Sequence, residues 1–387
     1  MNQSIRVYKL FRIWILFLFV YSMYPWFAWN IPQYAIVAVT TIVLVYISTQ
    51  INVFGKFSIS SPLSVFILLT CLWTHNYSIF SLLSGVLTWV CIYYMLKLKE
   101  EYKCDLIRFI TKWFAVLSLV SLIAFLLFRF GLSLPSKTIY FGEDVLSGYG
   151  EYENYYLFVT MWRSGGFRFQ SIFAEPGHYT MGLAPLIFIN KYNWKNPYVA
   201  ILMIAQLFTF SLAGYIVFIV GYLYTIVTEK RVSSIMTRIL SFALIVFAFT
   251  TLSSYFYEDD MVESLIFDRI EEGNFSRSEQ QFERAYASLL NSPEVLFGKS
   301  VLDIDVVAAG YKRYVYVHGI LGLTCILLMY LLIWNRCKWN KRRTFGLIVV
   351  FFLLLYQNAY PFWWCMLISL ILGSSYMANE NQLIENK

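Results

Sequence analysis

The feature that most constrains this chain is the recurrence of apolar stretches about as long as a bilayer is thick. Hydrocarbon ~30 Å across takes about 20 residues of a helix rising ~1.5 Å per residue. Segments of that kind occupy 10–29, 32–49, 57–74, 79–95, 110–130, 172–189, 197–212, 213–228, 239–256, 314–334, 344–360 and 361–376. Two of the divisions are forced by length and charge. The stretch 197–228 is too long for one upright span, and Lys191/Lys195 before it and Lys230/Arg231 after it require the same side, so it reads as a hairpin; 344–376 divides at Pro361 on the same length argument. With 59% hydrophobic and only 14% charged residues among 387, there is too little polar surface for a soluble domain. The expectation is an all-α polytopic membrane protein of about twelve transmembrane helices, forming one integral domain over residues 1–387. An aromatic share of 20% fits many helix ends at bilayer interfaces.

Charge gives the orientation. Cytoplasmic loops carry the excess of Lys and Arg, and twelve spans place 20 of the 30 basic residues inside, in the runs around Arg6, Lys97–Lys112, Lys191, Lys230 and Arg336–Arg343 and at Lys56 and Lys387. The short outer turns near Asn30, His75, Ala213 and Tyr360 carry none. Both termini are therefore expected in the cytoplasm, and the net charge of +7 is mainly a topology signal. No small-x-small cleavage site follows the basic N-terminus, which reads as an uncleaved first helix. Cys71, Cys91, Cys325 and Cys365 fall in spans and Cys104 and Cys337 in cytoplasmic loops, leaving no outer cysteine for a disulfide. There is no CxxC or Cys/His metal spacing, no nucleotide-binding glycine motif, no nucleic-acid-binding motif and no internal repeat. No cofactor is called for.

Two outer loops remain, 131–171 and 257–313, and chemistry on a soluble head group belongs there. The first is rich in tyrosine and ends with Arg163, Gly165-Gly166, Arg168, Glu175-Pro176-Gly177 and His178 within one short run. Pro176 can open a helix at its first turn, with Glu175 near the positive end of the dipole. Glu175 then either caps that helix or works as a carboxylate, and Arg163 and Arg168 bind either lipid phosphates or a substrate. In the second loop Ser276-Arg277-Ser278-Glu279 has capping-box spacing, predicting an amphipathic helix over 277–291. Its apolar stripe of Phe282, Ala285, Tyr286, Leu289 and Leu290 suits the membrane surface, while Arg277, Gln280, Gln281 and Arg284 face water or a ligand. Arg277 and Arg284 lie on nearly one side and form a fork suited to phosphate, unless they pair with the acids of the loop. Arg313 stands at the mouth of the tenth span. His318 lies about one turn deeper, where an ionisable group is a functional suspect or a neutral core residue. His75 has no spacing that singles it out.

The run Arg168-Phe169-Gln170-Ser171-Ile172-Phe173-Ala174-Glu175-Pro176-Gly177-His178 resembles the end of the first large periplasmic loop in Wzy-type O-antigen and exopolysaccharide polymerases, within the O-antigen ligase/polymerase superfamily. The second loop is similar to theirs as well, in its Ser-Arg start, its amphipathic helix, its Pro293-Glu294-Val295-Leu296-Phe297-Gly298 turn and the following Gly319-Ile320-Leu321-Gly322. The likeness covers architecture along the chain and specific sequence in about forty residues. Ligase-like members carry a His-Asn pair where this chain reads Ala308 to Arg313, and a Thr-x-Ser-Arg run where it reads Thr209-Phe210-Ser211-Leu212, so the resemblance favours a polymerase over a ligase. It implies a metal-independent glycosyltransferase of the bacterial inner membrane, acting at the periplasmic face in lipopolysaccharide or exopolysaccharide biosynthesis. Such an enzyme moves a growing glycan from undecaprenyl diphosphate onto the next lipid-linked oligosaccharide. Its partners would be a flippase and a chain-length regulator. Arg163, Arg168, Arg277, Arg284 and Arg313 would contact diphosphate, Glu175 or His178 would be the base, and His318 is a further candidate. The alternatives are ligase-type transfer of finished glycan to another acceptor and, in a different class, a precursor flippase or transporter.

Overall fold

The computed structural model describes residues 2–56, 61–75, 78–141, 150–161, 168–228, 280–299, 310–335, 341–357 and 363–385. The expected ninth span, 239–256, lies outside them, as do Arg163 and Arg277. The described chain is mostly helical: α1 (Asn2–Tyr21), α2 (Gln33–Gln50), α3 (Pro62–Thr74), α4 (Ile79–Lys97), α5 (Glu100–Arg129), α6 (Pro176–Ile189), α7 (Pro197–Phe208), α8 (Leu212–Thr228), α9 (Gln280–Leu290), α10 (Gly310–Asn335), α11 (Lys341–Gln357) and α12 (Trp364–Glu385). By length and composition α2, α4, α5 and α10 can each cross a bilayer, and α3, α7, α8 and the apolar parts of α11 and α12 are shorter. The outward faces agree with lipid as solvent. In α2 the buried residues Ile36, Val37, Thr40, Leu44 and Ile47 make one stripe, yet Val39, Ile42, Val45 and Tyr46 on the exposed side are apolar too, which water would penalise and acyl chains do not.

Helix ends follow local chemistry. Ser61 and Ser78 accept bonds from the backbone amides of Ser64 and Ser81, capping α3 and α4. Gly131, at φ +87°, closes α5 with paired bonds from its own N–H to the Phe128 carbonyl and from Leu132 N–H to the Leu127 carbonyl, the arrangement a left-handed glycine permits. The first apolar segment differs from expectation: helix stops at Tyr21 rather than Trp29, because Tyr24 takes φ 56° and Pro25 follows, and only a 3-10 turn, Trp26–Ala28, remains. The sixth is also shorter than 172–189, with α6 beginning at Pro176. Every residue of α6 except His178 is buried, so it is a core helix rather than a lipid-facing one.

The chain packs as two compact units. The first comprises residues 1–19, 31–110 and 276–387. In it α2 and α3 pack on α4, α10 packs on α3 and α11, and α12 packs on α4, α10 and α11. Its α1 is tied to the start of α5, where Tyr8 donates to Asp105 at 2.7 Å and Arg12 stands 3.4 Å from the same carboxylate. The second unit comprises residues 20–30 and 111–275. It contains α6, α7 and α8 packed on one another, with a three-stranded antiparallel sheet of β1 (Lys137–Tyr140), β2 (Glu151–Asn154) and β3 (Val159–Met161) in the order β1-β2-β3. Lys137 faces Asn154 and Tyr140 faces Glu151 in one pairing, and Tyr152 faces Met161 in the other. These strands fall in the first outer loop, where the sequence predicts no strand.

The amphipathic helix of the second outer loop is present as α9, starting at Gln280, while its expected cap Ser276 falls outside the described residues. Most of its apolar stripe is taken up by α10, and of the five residues only Leu290 stays largely exposed. Phe282 and Leu289 are fully enclosed against Tyr316 and Val317 of α10, with Ala285 and Tyr286 beside them; burying a phenyl and an isobutyl group gains roughly 1.5–3 kcal/mol each.

Candidate active site

The stretch from Arg168 to Glu175 is irregular, turning at Ser171, which takes φ 54°, with Phe173 N–H donating to the Gln170 carbonyl at 3.1 Å; its middle is buried, and it is stitched to three neighbours through its backbone. Phe169 N–H donates to the Phe208 carbonyl at 3.0 Å, the Ser171 carbonyl accepts from Val159 of β3 at 2.8 Å, and the Ile172 carbonyl accepts from Trp26 at 2.9 Å. Ala174 N–H donates to the Tyr24 carbonyl at 3.1 Å. Phe169 and Phe173 pack on Tyr179, whose hydroxyl donates to Ser118 at 2.6 Å. A segment without helix is tolerable in an apolar surrounding only when its amides are paired in this way. Arg168 lies at the start of the stretch, partly buried, and Glu175 and His178 at its end, both partly buried.

Glu175 occupies the N-cap of α6 but makes no side-chain capping bond. The simple capping role is therefore not the one observed. Instead its carboxylate acts on Tyr152 of β2, whose phenol is held well above its ordinary range by burial and then by this negative neighbour. Tyr152 packs on Trp29 with ring centres 5.0 Å apart, Trp29 packs on Phe141 at 4.9 Å, Phe141 on Tyr24 at 5.9 Å, and Tyr24 on His178 at 5.4 Å. The rings from Tyr152 to His178 thus form one continuous chain, and Glu175 stands three residues before His178 at the start of the same helix. Tyr24 is 38% exposed and held at φ 56°, a left-handed conformation that costs a non-glycine residue roughly 1 kcal/mol; the indole of Trp29 donates to its carbonyl at 2.8 Å. Strain of this kind gathers at working sites.

The other expected residues belong to the first unit. Arg284 is exposed on α9 and Arg313 exposed on α10, next in sequence to Glu283 and Lys312, which join the two helices by a bidentate ion pair at 2.6 and 2.7 Å. An acid of the loop thus pairs with Lys312. His318 is buried, its ring 4.5 Å from that of Tyr314 and its carbonyl accepting from the Trp73 indole at 3.2 Å. His75 follows α3 directly, its Nδ1 2.8 Å from the Cys71 carbonyl. Thr74 meets Tyr314 at 3.3 Å, and His75 and His318 are near enough for their charges to interact. Burial holds His75 below the usual imidazole range, against the opposing effect of its bond to Cys71.

Arg168, Glu175 and His178 are thereby gathered on one segment of the second unit, and Arg284, Arg313 and His318 on two helices of the first. Sequence reasoning missed Tyr24, Trp29 and Phe141, passed over His75, and had Tyr152 only as one of the first loop's tyrosines, expected together to stack on sugars. The only signal for the first two was the density of rings from Tyr24 to Trp29, which reads equally as an interfacial belt. Among the described residues no three His, Cys, Asp or Glu side chains converge to hold a metal ion. No family model matches this chain, and no curated protein and no solved structure matches it.

Proposed function

We propose that the protein is a membrane glycosyltransferase of the repeat-unit polymerase kind, working at the outer face of a bacterial inner membrane with both termini in the cytoplasm and about twelve spans. The observation that carries this reading is the chain of rings Tyr152, Trp29, Phe141 and Tyr24 that ends on the imidazole of His178, with Glu175 three residues before it at the start of the same helix. Sugar rings present a C–H face that stacks on aromatic faces and a hydroxyl edge that needs hydrogen-bond acceptors, and both are supplied here. The other support is the arginines that the resemblance assigns to a diphosphate.

In this reading an acceptor hydroxyl stacked on the aromatic wall gives its proton to Glu175 and attacks the anomeric carbon of the donor. The new C–O bond forms as the bond from that carbon to the carrier diphosphate breaks. The departing negative charge is taken by guanidinium groups, Arg168 first; Arg163, Arg277, Arg284 and Arg313 are the others that the resemblance assigns to the diphosphate. His178, packed on Tyr24, orients the acceptor. Polyprenyl tails lie along apolar helix faces.

The test is glycan length. A strain in which this gene is replaced by the Arg168→Ala, Arg277→Ala double variant should carry single repeat units in place of polymer; full-length polymer would sink the assignment. Long chains retained on the lipid carrier would instead indicate a ligase. A transporter is favoured by one observation, the break in α10 at Gly319 beside buried His318, and would be revealed by lipid-linked units left on the cytoplasmic leaflet.

A further inference from the structure

The stretch that joins α9 to α10 opens with a 3-10 turn, Pro293–Leu296, continued by Phe297 and Gly298. It is seated on α10 at an unusual place. Gly319 interrupts that helix at φ 70°, ψ 178°, and Gly298 opposite has φ 75°. A Cβ on Gly319 would fall on the carbonyl of Leu296, and one on Gly298 on the carbonyl of Val317, so the two backbones touch. Lys299 N–H donates to the Tyr316 carbonyl at 2.9 Å.

This seat sets a depth. Counting back from Trp334, beside the basic run that begins at Arg336, hydrocarbon ~30 Å thick takes in about 20 residues and ends near Val315. Gly319 then lies roughly 6 Å below the surface, and the turn packed on it reaches the same level. The side chains at its tip are apolar and about half exposed, Leu296 at 48% and Phe297, one side of which packs on Trp73 at 5.9 Å, at 56%; Ile320 and Leu321, next along α10, are 42% and 40% exposed. The turn also meets the condition for entering hydrocarbon, which is that its amides be paired internally. Val295 N–H donates to Ser292, and Phe297 and Gly298 N–H both donate to Glu294. The polar residues Asn291, Ser292 and Glu294 precede the tip and exposed Lys299 follows it.

We propose that this turn dips into the bilayer leaflet covering the Gly310 end of α10, with Leu296 and Phe297 held among acyl chains. The segment is a membrane anchor that keeps α9 and exposed Arg284 at the depth of lipid phosphates. The middle of α9 is held on α10 by Phe282 and Leu289; the anchor and the Glu283–Lys312 pair secure its two ends.

The experiment places the photoreactive p-benzoylphenylalanine at 297 in the full chain, in nanodiscs of phosphatidylethanolamine and phosphatidylglycerol. Irradiation should yield lipid adducts at 297 comparable to those from the same label at 320 on the helix face, with none at 281 on the exposed side of α9. The label resembles phenylalanine and leaves Gly298 and Gly319 intact; repeating it at 296 should give the same result. Behaviour like position 281 would overturn the proposal, and so would adducts to protein, which would mean that a second chain covers the turn.

Discussion

Replacing Gly319 by Ala tests the seating of that turn most directly, because two costs fall on one methyl group. The φ 70°, ψ 178° conformation is open essentially to glycine alone, and imposing it on alanine costs about 1–3 kcal/mol. The added Cβ also falls on the backbone of Leu296 and Phe297, so the turn must move off, losing the Lys299 to Tyr316 hydrogen bond, a further ~1 kcal/mol. Together the docked turn is destabilised by roughly 2–4 kcal/mol, and at 1.36 kcal/mol per tenfold that multiplies the undocked population about thirty- to a thousand-fold. Trypsin reports that population through cleavage after Lys299, since proteolysis of a transient opening follows its equilibrium fraction. The expected result is a cleavage rate at Lys299 raised by that factor. Gly131→Ala is the control: it also has positive φ, +87°, but nothing lies within 4 Å of its added Cβ, so its strain should leave Lys299 unaffected. Equal rates at Lys299 in the two variants would refute the reasoning.

Other outcomes follow from the same geometry. Phe282→Ala should cost about 3–5 kcal/mol of local stability, since the ring is fully enclosed; amide hydrogen exchange over 280–290 should rise sharply, and unchanged protection would contradict the packing of α9 on α10. Glu175→Gln should lower the rate of polymer extension by about 10²–10⁴ if the carboxylate takes the acceptor proton, measured on lipid-linked repeat units, with near-normal turnover counting against it. His75, held below its ordinary pKa by burial, takes up a proton on unfolding. Its contribution is therefore complete above about pH 6.5 and declines as pH falls through and below that value; thermal midpoints from pH 7.5 to 5 should show a shallower slope in His75→Gln. The Glu283–Lys312 pair is partly exposed, so a double-mutant cycle should return no more than ~1 kcal/mol, and a much larger coupling would show it to be desolvated in the membrane.

Much of the helical framework was legible because its cause is local. Hydrophobic runs of bilayer length become helices wherever the backbone must pair its own polar groups, and α2, α4 and α10 stand close to where periodicity and length put them. Pro176 marked the start of α6 for the same reason, fixed φ and no amide to lose. The small sheet was harder, since the alternation of Glu151, Tyr152, Glu153 and Asn154 is too short to outweigh a loop reading, and only its pairing with Lys137–Tyr140 gives it meaning.

What the sequence determined by itself is the class of solvent and the candidate chemistry: apolar spans, a cationic bias toward one side, and the run from Arg168 to His178. Tertiary structure decided what those residues meet. It withheld the expected cap from Glu175 and set Tyr152 beside it, enclosed the stripe of α9 against Tyr316 and Val317, and brought Gly298 onto Gly319 and His75 toward His318. The physical reason is that such contacts join positions far apart in the chain, and whether a ring faces lipid, protein or a carboxylate depends on which partner arrives, which no local pattern of residues encodes.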